Sequence, residues 1–142
     1  PCGLAVRDIL RMEMKYCLYG NDINESTTPL EAGLNWVVSF NKEFIGKKDI
    51  RDQKEKGISK MLIPFMLKDK GIPRNGYKIY DEKNIIGEVT SGTYSIGLNY
   101  GIGIGYINSN HKSKDIFIDI RDKKYLAQII KPPFIENYSL HK

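Results

Sequence analysis

The spacing of apolar residues divides the chain into a helical first part and a strand-rich second part. Val6, Ile9 and Leu10 follow the three-and-four spacing of an amphipathic helix, which predicts a helix over 4–14. Turn-forming residues at 19–22 then interrupt the pattern.

Three further elements are predicted before the pattern changes. Hydroxyl side chains followed by a proline offer an N-cap and a first-turn proline for a short helix over 26–32. The β-branched and aromatic residues of 34–40 predict a strand. A charged helix over 44–56 follows, and Gly57 is expected to end it.

Beyond Gly57 the helical spacing gives way to short apolar segments separated by turns. The predicted strands are 61–67, 77–80, 85–89, 101–107, 116–120 and 125–130. The linkers 81–84 and 121–124 have the length of hairpin loops, and the alternating glycines of 101–105 indicate one strand with a glycine face. The sequence therefore predicts a small antiparallel barrel or sandwich.

The change of pattern places a boundary near residue 57. It predicts two regions, 1–56 and 57–142, and an α+β fold class. At 142 residues the chain is long enough for one ordinary domain or two very small ones.

Composition and charge exclude several protein classes. No apolar run approaches the roughly 18 residues of a membrane helix, and the first residues do not resemble a signal peptide. Cys2 and Cys17 are expected to be reduced thiols. The net charge of +5 arises from basic residues interleaved with acidic ones, which favours solvated helix faces over nucleic-acid binding.

The residue spacings required for metal or nucleotide sites are missing. His111 and His141 have no Cys, Asp or Glu at ligand spacing, so we expect no metal. The glycines of 101–105 lack the strand-then-helix context of a dinucleotide loop. Ser91 lacks the glycine two residues earlier that a hydrolase elbow requires, and it is interpreted as a turn residue.

Arg7 and Arg11 are four residues apart on the first predicted helix, where like charges repel unless an anion compensates them. One interpretation is a local ion-pair network with Asp8 and Glu13. The alternative is a guanidinium that binds the carboxylate of a ligand.

Two further pairs near the end of this helix allow two interpretations each. Tyr16 and Tyr19 are either half-buried packing residues or walls of a ligand pocket. Asp22 and Glu25 are either acid–base residues or, for Asp22 in a turn, a backbone cap.

Motifs spread over nearly the whole chain resemble one known family. In chain order they are GLAVRDILRME (3–13), LYGNDINE (18–25), TTPLEAGLNW (27–36), FIGK (44–47), GIPRNGY (71–77), IGEVTSGTYS (86–95) and KPPF (131–134). Their sequence and order closely resemble the aminomethyltransferase of the glycine cleavage system, the T-protein.

The resemblance implies a specific reaction and partner. A T-protein takes the aminomethyl group from the lipoyl arm of H-protein, transfers its methylene carbon to tetrahydrofolate and releases ammonia. It uses tetrahydrofolate as a substrate and lipoylated H-protein as a partner, and no metal, nucleic acid or membrane is expected. By the same resemblance Arg7 contacts folate, Tyr16 lines the pocket and Tyr138 binds substrate.

The resemblance also implies a domain order. Residues 1–56 would be the end of a folate-binding α+β domain, and 57–142 a small antiparallel β-barrel or jelly-roll-like C-terminal domain. The family's catalytic aspartate and pterin-binding glutamate have no counterpart in this sequence. We therefore expect no catalytic residue here, no turnover by this chain alone, and apolar faces in 1–56 that are exposed or covered by another chain.

A second interpretation is a non-catalytic folate-binding or scaffold relative, of the kind that assists iron–sulfur cluster assembly or belongs to amine dehydrogenases. The motifs at 18–25 and 27–36 look more like those of the T-protein. The expected location is the mitochondrial matrix in a eukaryote and the cytoplasm otherwise.

Overall fold

The computed structural model describes residues 3–136. Two helices, α1 (Leu4–Glu13) and α2 (Lys47–Lys56), and a 3-10 turn (Asn35–Val37) precede six strands. The strands are β1 (Lys60–Leu67), β2 (Lys78–Tyr80), β3 (Ile85–Ser95), β4 (Tyr100–Asn108), β5 (Asp115–Ile120) and β6 (Lys123–Ile129). Among the residues described, no helix has the length and apolar character needed to cross a membrane.

The six strands close into one antiparallel barrel, in the order β1-β4-β3-β2-β5-β6. In the long β3–β4 pair, Gly87 lies opposite Ile107 and Ser95 opposite Tyr100. Strand β6 returns to β1, where Phe65 lies opposite Ile129. Each strand thus has two hydrogen-bonded neighbours, which removes free edges. The predicted α+β class with a small antiparallel barrel is confirmed.

The interior of the barrel depends on the glycine face of β4. The core side chains without solvent access include Phe65, Leu67, Ile79, Val89, Ile116 and Ile118. A Cβ on Gly103 would lie 2.3 Å from Cζ of Phe65, and one on Gly105 would lie 2.9 Å from Cδ1 of Ile79. The predicted glycine face is therefore confirmed. It faces the barrel interior, where the large side chains of β1 and β2 leave no room for a Cβ atom on β4.

The opposite face of β4 carries helix α1. Ile102 and Ile104 are fully buried, although they lie outside the barrel, because Met12 of α1 and Phe134 pack against them. Helix α1 contacts both β3 and β4. The boundary near residue 57 stays a prediction; the barrel itself begins at Lys60.

Residues 26–40 contain neither the short helix nor the strand that the sequence predicts. The backbone N–H of Glu31 donates to Oγ1 of Thr28, and the N–H of Thr28 donates to Oε2 of Glu31, which is the reciprocal pair of a helix start. Gly33 has φ of 70°, a left-handed conformation that prevents this turn from continuing as a helix. Within residues 34–40 the only regular element is the 3-10 turn Asn35–Val37, and a strand there has no partner because the barrel is closed.

Three smaller predictions also need correction. Helix α2 begins at Lys47 rather than at residue 44, because Gly46 has φ of 86°; it ends at Gly57 as predicted. Ser91 lies inside β3, not in a turn. The loop expected over 121–124 is a two-residue turn, in which Arg121 and Asp122 both have positive φ, as type I′ hairpins require.

We predict that Gly103→Ala destabilises the chain by about 1–3 kcal/mol, because its methyl group would overlap the ring of Phe65. Urea unfolding measures the effect. Gly97→Ala is the matched control, since a Cβ there would lie 3.6 Å from Cδ1 of Ile135, an ordinary contact distance. Adding Phe65→Leu to Gly103→Ala should restore part of the loss; an equal loss in both glycine variants would contradict the steric explanation.

Candidate functional site

The fully buried carboxylate of Asp22 connects separate parts of the chain. Its Oδ2 accepts hydrogen bonds from the N–H of Leu18 at 2.9 Å and from Nη1 of Arg11 at 2.6 Å. Its Oδ1 accepts from Oγ1 of Thr90 at 2.6 Å, and its backbone carbonyl accepts from the hydroxyl of Tyr106 at 3.0 Å. The loop after α1 is thereby attached to α1, β3 and β4.

The guanidinium of Arg11 uses all three of its nitrogens. Nε donates to Oδ1 of Asp8 at 2.8 Å, Nη1 to Asp22, and Nη2 to Oγ of Ser91 at 3.0 Å. The Arg11 side chain is only 10% exposed. A buried charge pair needs such complete hydrogen bonding to offset its desolvation. For Arg11 the local ion-pair interpretation is therefore right in part: Asp8 is a partner as predicted, Asp22 is a second partner, and Glu13 binds Ser95 instead.

A bulge in β3 brings two adjacent hydroxyls to the same side of the strand. The register with β4 shifts between Val89 and Ser91, which leaves Thr90 as the extra residue. Side chains normally alternate between faces, yet Thr90 contacts Asp22 while Ser91 contacts Arg11. The bulge thus lets β3 bind both members of the ion pair.

Glu13 forms a second attachment between α1 and the barrel. Its buried side chain accepts a hydrogen bond from the hydroxyl of Ser95 at the end of β3. Its backbone carbonyl accepts from the N–H of Phe134 at 2.8 Å. Together with Met12, these contacts fix the orientation of the last turn of α1.

The face of α1 away from the barrel presents what we call the outward stripe, Leu4, Arg7 and Leu10. The three residues are three positions apart, so they are neighbours on the helix surface. Leu4 is 79% exposed and Leu10 is 57% exposed. Arg7 is exposed and, within residues 3–136, its side chain forms no hydrogen bond or ion pair. Its charge is thus available to an external anion.

The three residues that the resemblance assigns to substrate binding lie in different places, and their roles stay predictions. Arg7 lies on α1, and Tyr16 lies in the turn after it, where the N–H of Tyr16 donates to the carbonyl of Arg11 at 2.8 Å. The Tyr16 ring is mostly exposed, as is that of Tyr19. Both Arg7 and Tyr16 therefore face solvent near the same helix, although no described contact joins them. Tyr138 lies outside the described residues.

Two groups beside Asp22 have shifted pKa values. Burial raises the pKa of the Tyr106 phenol to about 12, and Nζ of Lys60 lies 5.0 Å from its ring centre. Burial also raises the pKa of the Cys17 thiol, a free cysteine. Both shifts favour the neutral form of the side chain.

No group of three or more His, Cys, Asp or Glu side chains that could hold a metal ion occurs in the described part of the chain. A cleft of about 650 Å³ lies between the loop 81–84 and the residues around His111. None of the residues that bind Asp22, and neither Arg7 nor Tyr16, lines this cleft. The residues that the resemblance assigns, Arg7 and Tyr16, lie instead on the exposed side of α1 and just after it, which makes this surface the candidate site.

Sequence reasoning found some of the residues around this site and missed others. The sequence allows either an acid–base role or a backbone cap for Asp22. In the structure its carboxylate accepts hydrogen bonds from the Leu18 N–H and from Arg11, which makes it a structural cap. Glu25 is exposed. Thr90 and Ser95 belong to the motif 86–95, but the sequence does not reveal their structural role, because the partner of a strand hydroxyl is known only from the structure.

We predict that Asp22→Ala costs about 3–5 kcal/mol in the free energy of unfolding, because it leaves the Arg11 charge buried without its partner. Urea denaturation measures the loss, and Asp69→Ala, at an exposed position, is the control. The double variant Arg11→Met, Asp22→Leu should recover much of it. A loss below about 1 kcal/mol would show that the pair is not what attaches the loop.

We also predict that stability falls as the pH rises from about 10 towards 12. The unfolded chain releases the Tyr106 proton near pH 10, whereas the folded chain holds it until about pH 12. The folded state then binds more protons, so the free energy of unfolding decreases with pH in this range. Tyr106→Phe should show a smaller decrease in denaturation curves recorded between pH 9 and pH 12, and identical curves would contradict this assignment.

Two family profiles match the chain, one in each of the two predicted regions. The profile of the GCVT N-terminal domain matches residues 1–42, and that of the glycine cleavage T-protein C-terminal barrel domain matches residues 60–136. The second match contains the whole of the barrel described above.

Individual proteins show the same similarity. The aminomethyltransferases of Flavobacterium psychrophilum and Halothermothrix orenii are each 49% identical to the chain, over 94% and 95% of its length. The crystal structure of glycine cleavage system aminomethyltransferase T from Bartonella henselae superposes with a TM-score of 0.88 at 34% identity, over 94% of this chain. The chain spans only 38–39% of the length of these three proteins. It belongs to the glycine cleavage T-protein family and corresponds to the C-terminal part of its members.

Proposed function

We propose that this chain supplies folate-binding residues to an aminomethyltransferase that moves a methylene carbon from the aminomethyl-lipoyl arm of H-protein to tetrahydrofolate with release of ammonia. The exposed guanidinium of Arg7, which has no hydrogen-bond or ion-pair partner within residues 3–136, carries the proposal. The names of its bacterial relatives favour a transferase over a non-catalytic scaffold.

Arg7 is suited to bind the carboxylate of a folate glutamate. The Asp8 carboxylate is already paired with Arg11, so the nearest acid on the helix does not neutralise Arg7. A planar guanidinium can bind a carboxylate through two parallel hydrogen bonds.

Tyr16 is proposed as a wall of the same pocket, and Tyr138 as a further substrate contact. The backbone bonds between Tyr16 and Arg11 fix the start of the Tyr16 side chain relative to α1. We propose that the catalytic groups belong to other parts of the enzyme, so the 142-residue chain by itself binds folate weakly and does not turn over. Mitochondrial or cytoplasmic location stays a prediction.

We predict that Arg7→Ala weakens tetrahydrofolate binding to this chain by about 10-fold or more, the effect of one charged hydrogen bond. Ligand-observed NMR titration measures the affinity for tetrahydrofolate. A tetrahydrofolate analogue that lacks the glutamate should bind the unsubstituted chain and the Arg7→Ala variant equally. Arg51→Ala on α2 is a charge-matched control at another exposed arginine. Equal affinities for the Arg7 and Arg51 variants would contradict the assignment, and unfolding curves should be unchanged in both.

A further inference from the structure

The carbonyl of Thr90 points to the opposite edge of β3 from the one that regular pairing predicts. Along an antiparallel strand, the backbone groups of successive residues face the two neighbouring strands in turn. The N–H of Val89 donates to the carbonyl of Tyr77 at 2.8 Å, and its carbonyl accepts from the N–H of Gly76 at 2.9 Å, so Val89 pairs on the β2 side. The carbonyl of Thr90 should therefore face β4. It instead accepts from Nδ2 of Asn75 at 2.8 Å, on the same side as Val89.

Asn75 supplies the donor that this turned carbonyl needs. The register between β3 and β4 passes over Thr90, because the bulge lies between Val89 and Ser91. A carbonyl that is turned away from its ladder requires a donor from elsewhere. The side-chain amide of Asn75 therefore takes the place of a strand N–H at the bulge.

The segment that carries Asn75 is itself fixed against β3. Pro73 is fully buried, and its carbonyl lies so close to Gly92 that a Cβ there would be 2.5 Å from it. On the other side of Asn75, the N–H of Gly76 donates to the carbonyl of Val89. Both contacts direct the short side chain of Asn75 at the bulge, so its donor does not depend on a flexible loop.

The same bulge carries both hydroxyls that bind the ion pair of α1. Oγ1 of Thr90 donates to Asp22 at 2.6 Å, and Oγ of Ser91 accepts from Nη2 of Arg11 at 3.0 Å. Successive side chains of a regular strand point to opposite faces, so only the bulged backbone presents both hydroxyls to the pair. The attachment of α1 to β3 therefore depends on the conformation of one peptide unit.

We propose that Asn75 is a positioning residue for the candidate site. Its amide holds the bulged conformation of β3, and the bulge in turn holds the Arg11–Asp22 pair and the helix that presents Arg7. Asn75 is exposed and forms no hydrogen bond to these three residues, so it acts on them only through Thr90. This effect on α1 does not rest on the proposed function; only its consequence for tetrahydrofolate does.

Amide exchange of the Leu18 N–H, which donates to Asp22 at 2.9 Å, tests the proposal. Asn75→Ala should speed this exchange by about 5-fold, the effect of one hydrogen bond on a local opening. Asn75→Asp keeps the side-chain size but places an acceptor against the Thr90 carbonyl at pH 7, and it should speed exchange further. Asn84→Ala is the matched control, because Asn84 is exposed and its side chain forms no hydrogen bond within residues 3–136.

Substitutions of Thr90 separate positioning from a general loss of structure. Thr90→Val removes the hydroxyl that reaches Asp22, so Asn75→Ala should add nothing to Leu18 exchange in that background. Thr90→Ser keeps the hydroxyl, so the full effect of Asn75→Ala should return. The same added effect in both backgrounds would show that Asn75 only anchors its own turn.

Two further results would overturn the proposal. One is unchanged Leu18 exchange in both Asn75 variants. The other is equally faster exchange in the β5–β6 pair, which would indicate global destabilisation. These two results decide the question even where Thr90→Val fails to fold.

Tetrahydrofolate affinity distinguishes the proposal from the proposed function. With Arg7 as the folate contact, Asn75→Ala should also weaken tetrahydrofolate binding, and by less than Arg7→Ala. Faster Leu18 exchange, with tetrahydrofolate affinity unchanged in both variants, would support the positioning role and contradict the proposed function.

Discussion

A carboxylate with no access to water has to be matched by donors, and the arrangement around Asp22 follows from that requirement. Its oxygens accept from Leu18, Arg11 and Thr90, which belong to the loop after α1, to α1 and to β3. None of these elements can move independently without exposing an unpaired charge to a low-dielectric interior. The direction in which α1 presents Arg7 is therefore set by a residue fifteen positions away in the chain.

The barrel serves as a support rather than as a container. Its interior is filled by Phe65, Ile79 and neighbouring apolar side chains. Its outer wall instead provides Ile102, Ile104 and the hydroxyls of β3 that hold α1. The candidate site thus lies on a helix on the outside of the barrel, not within it.

Sequence reasoning located the barrel and both long helices because their signals are local. Alternation identified the strands, and the glycines of 101–105 were recognised as one face of a strand. It failed at 34–40, where β-branched and aromatic residues imitate a strand but the closed barrel offers no edge. For the candidate site, the resemblance supplied Arg7 and Tyr16. The hydrogen-bond network of Asp22 and Arg11, which holds α1 in place, could not be predicted. The partners Arg11 and Ser91 are 80 positions apart, and only the bulge at Thr90 brings the hydroxyls to that side.

Strand β4 separates two packed regions by the thickness of one backbone. Phe65 presses on its glycine face from inside, and Met12 presses on Ile102 and Ile104 from outside. Both packed regions contact the β4 backbone. A change in side-chain volume on one face of β4 therefore shifts the backbone against the residues on the other face. Divergence within such a barrel is therefore constrained in pairs: residues that fill the interior and residues that seat α1 have to change together if the position of Arg7 is to be preserved.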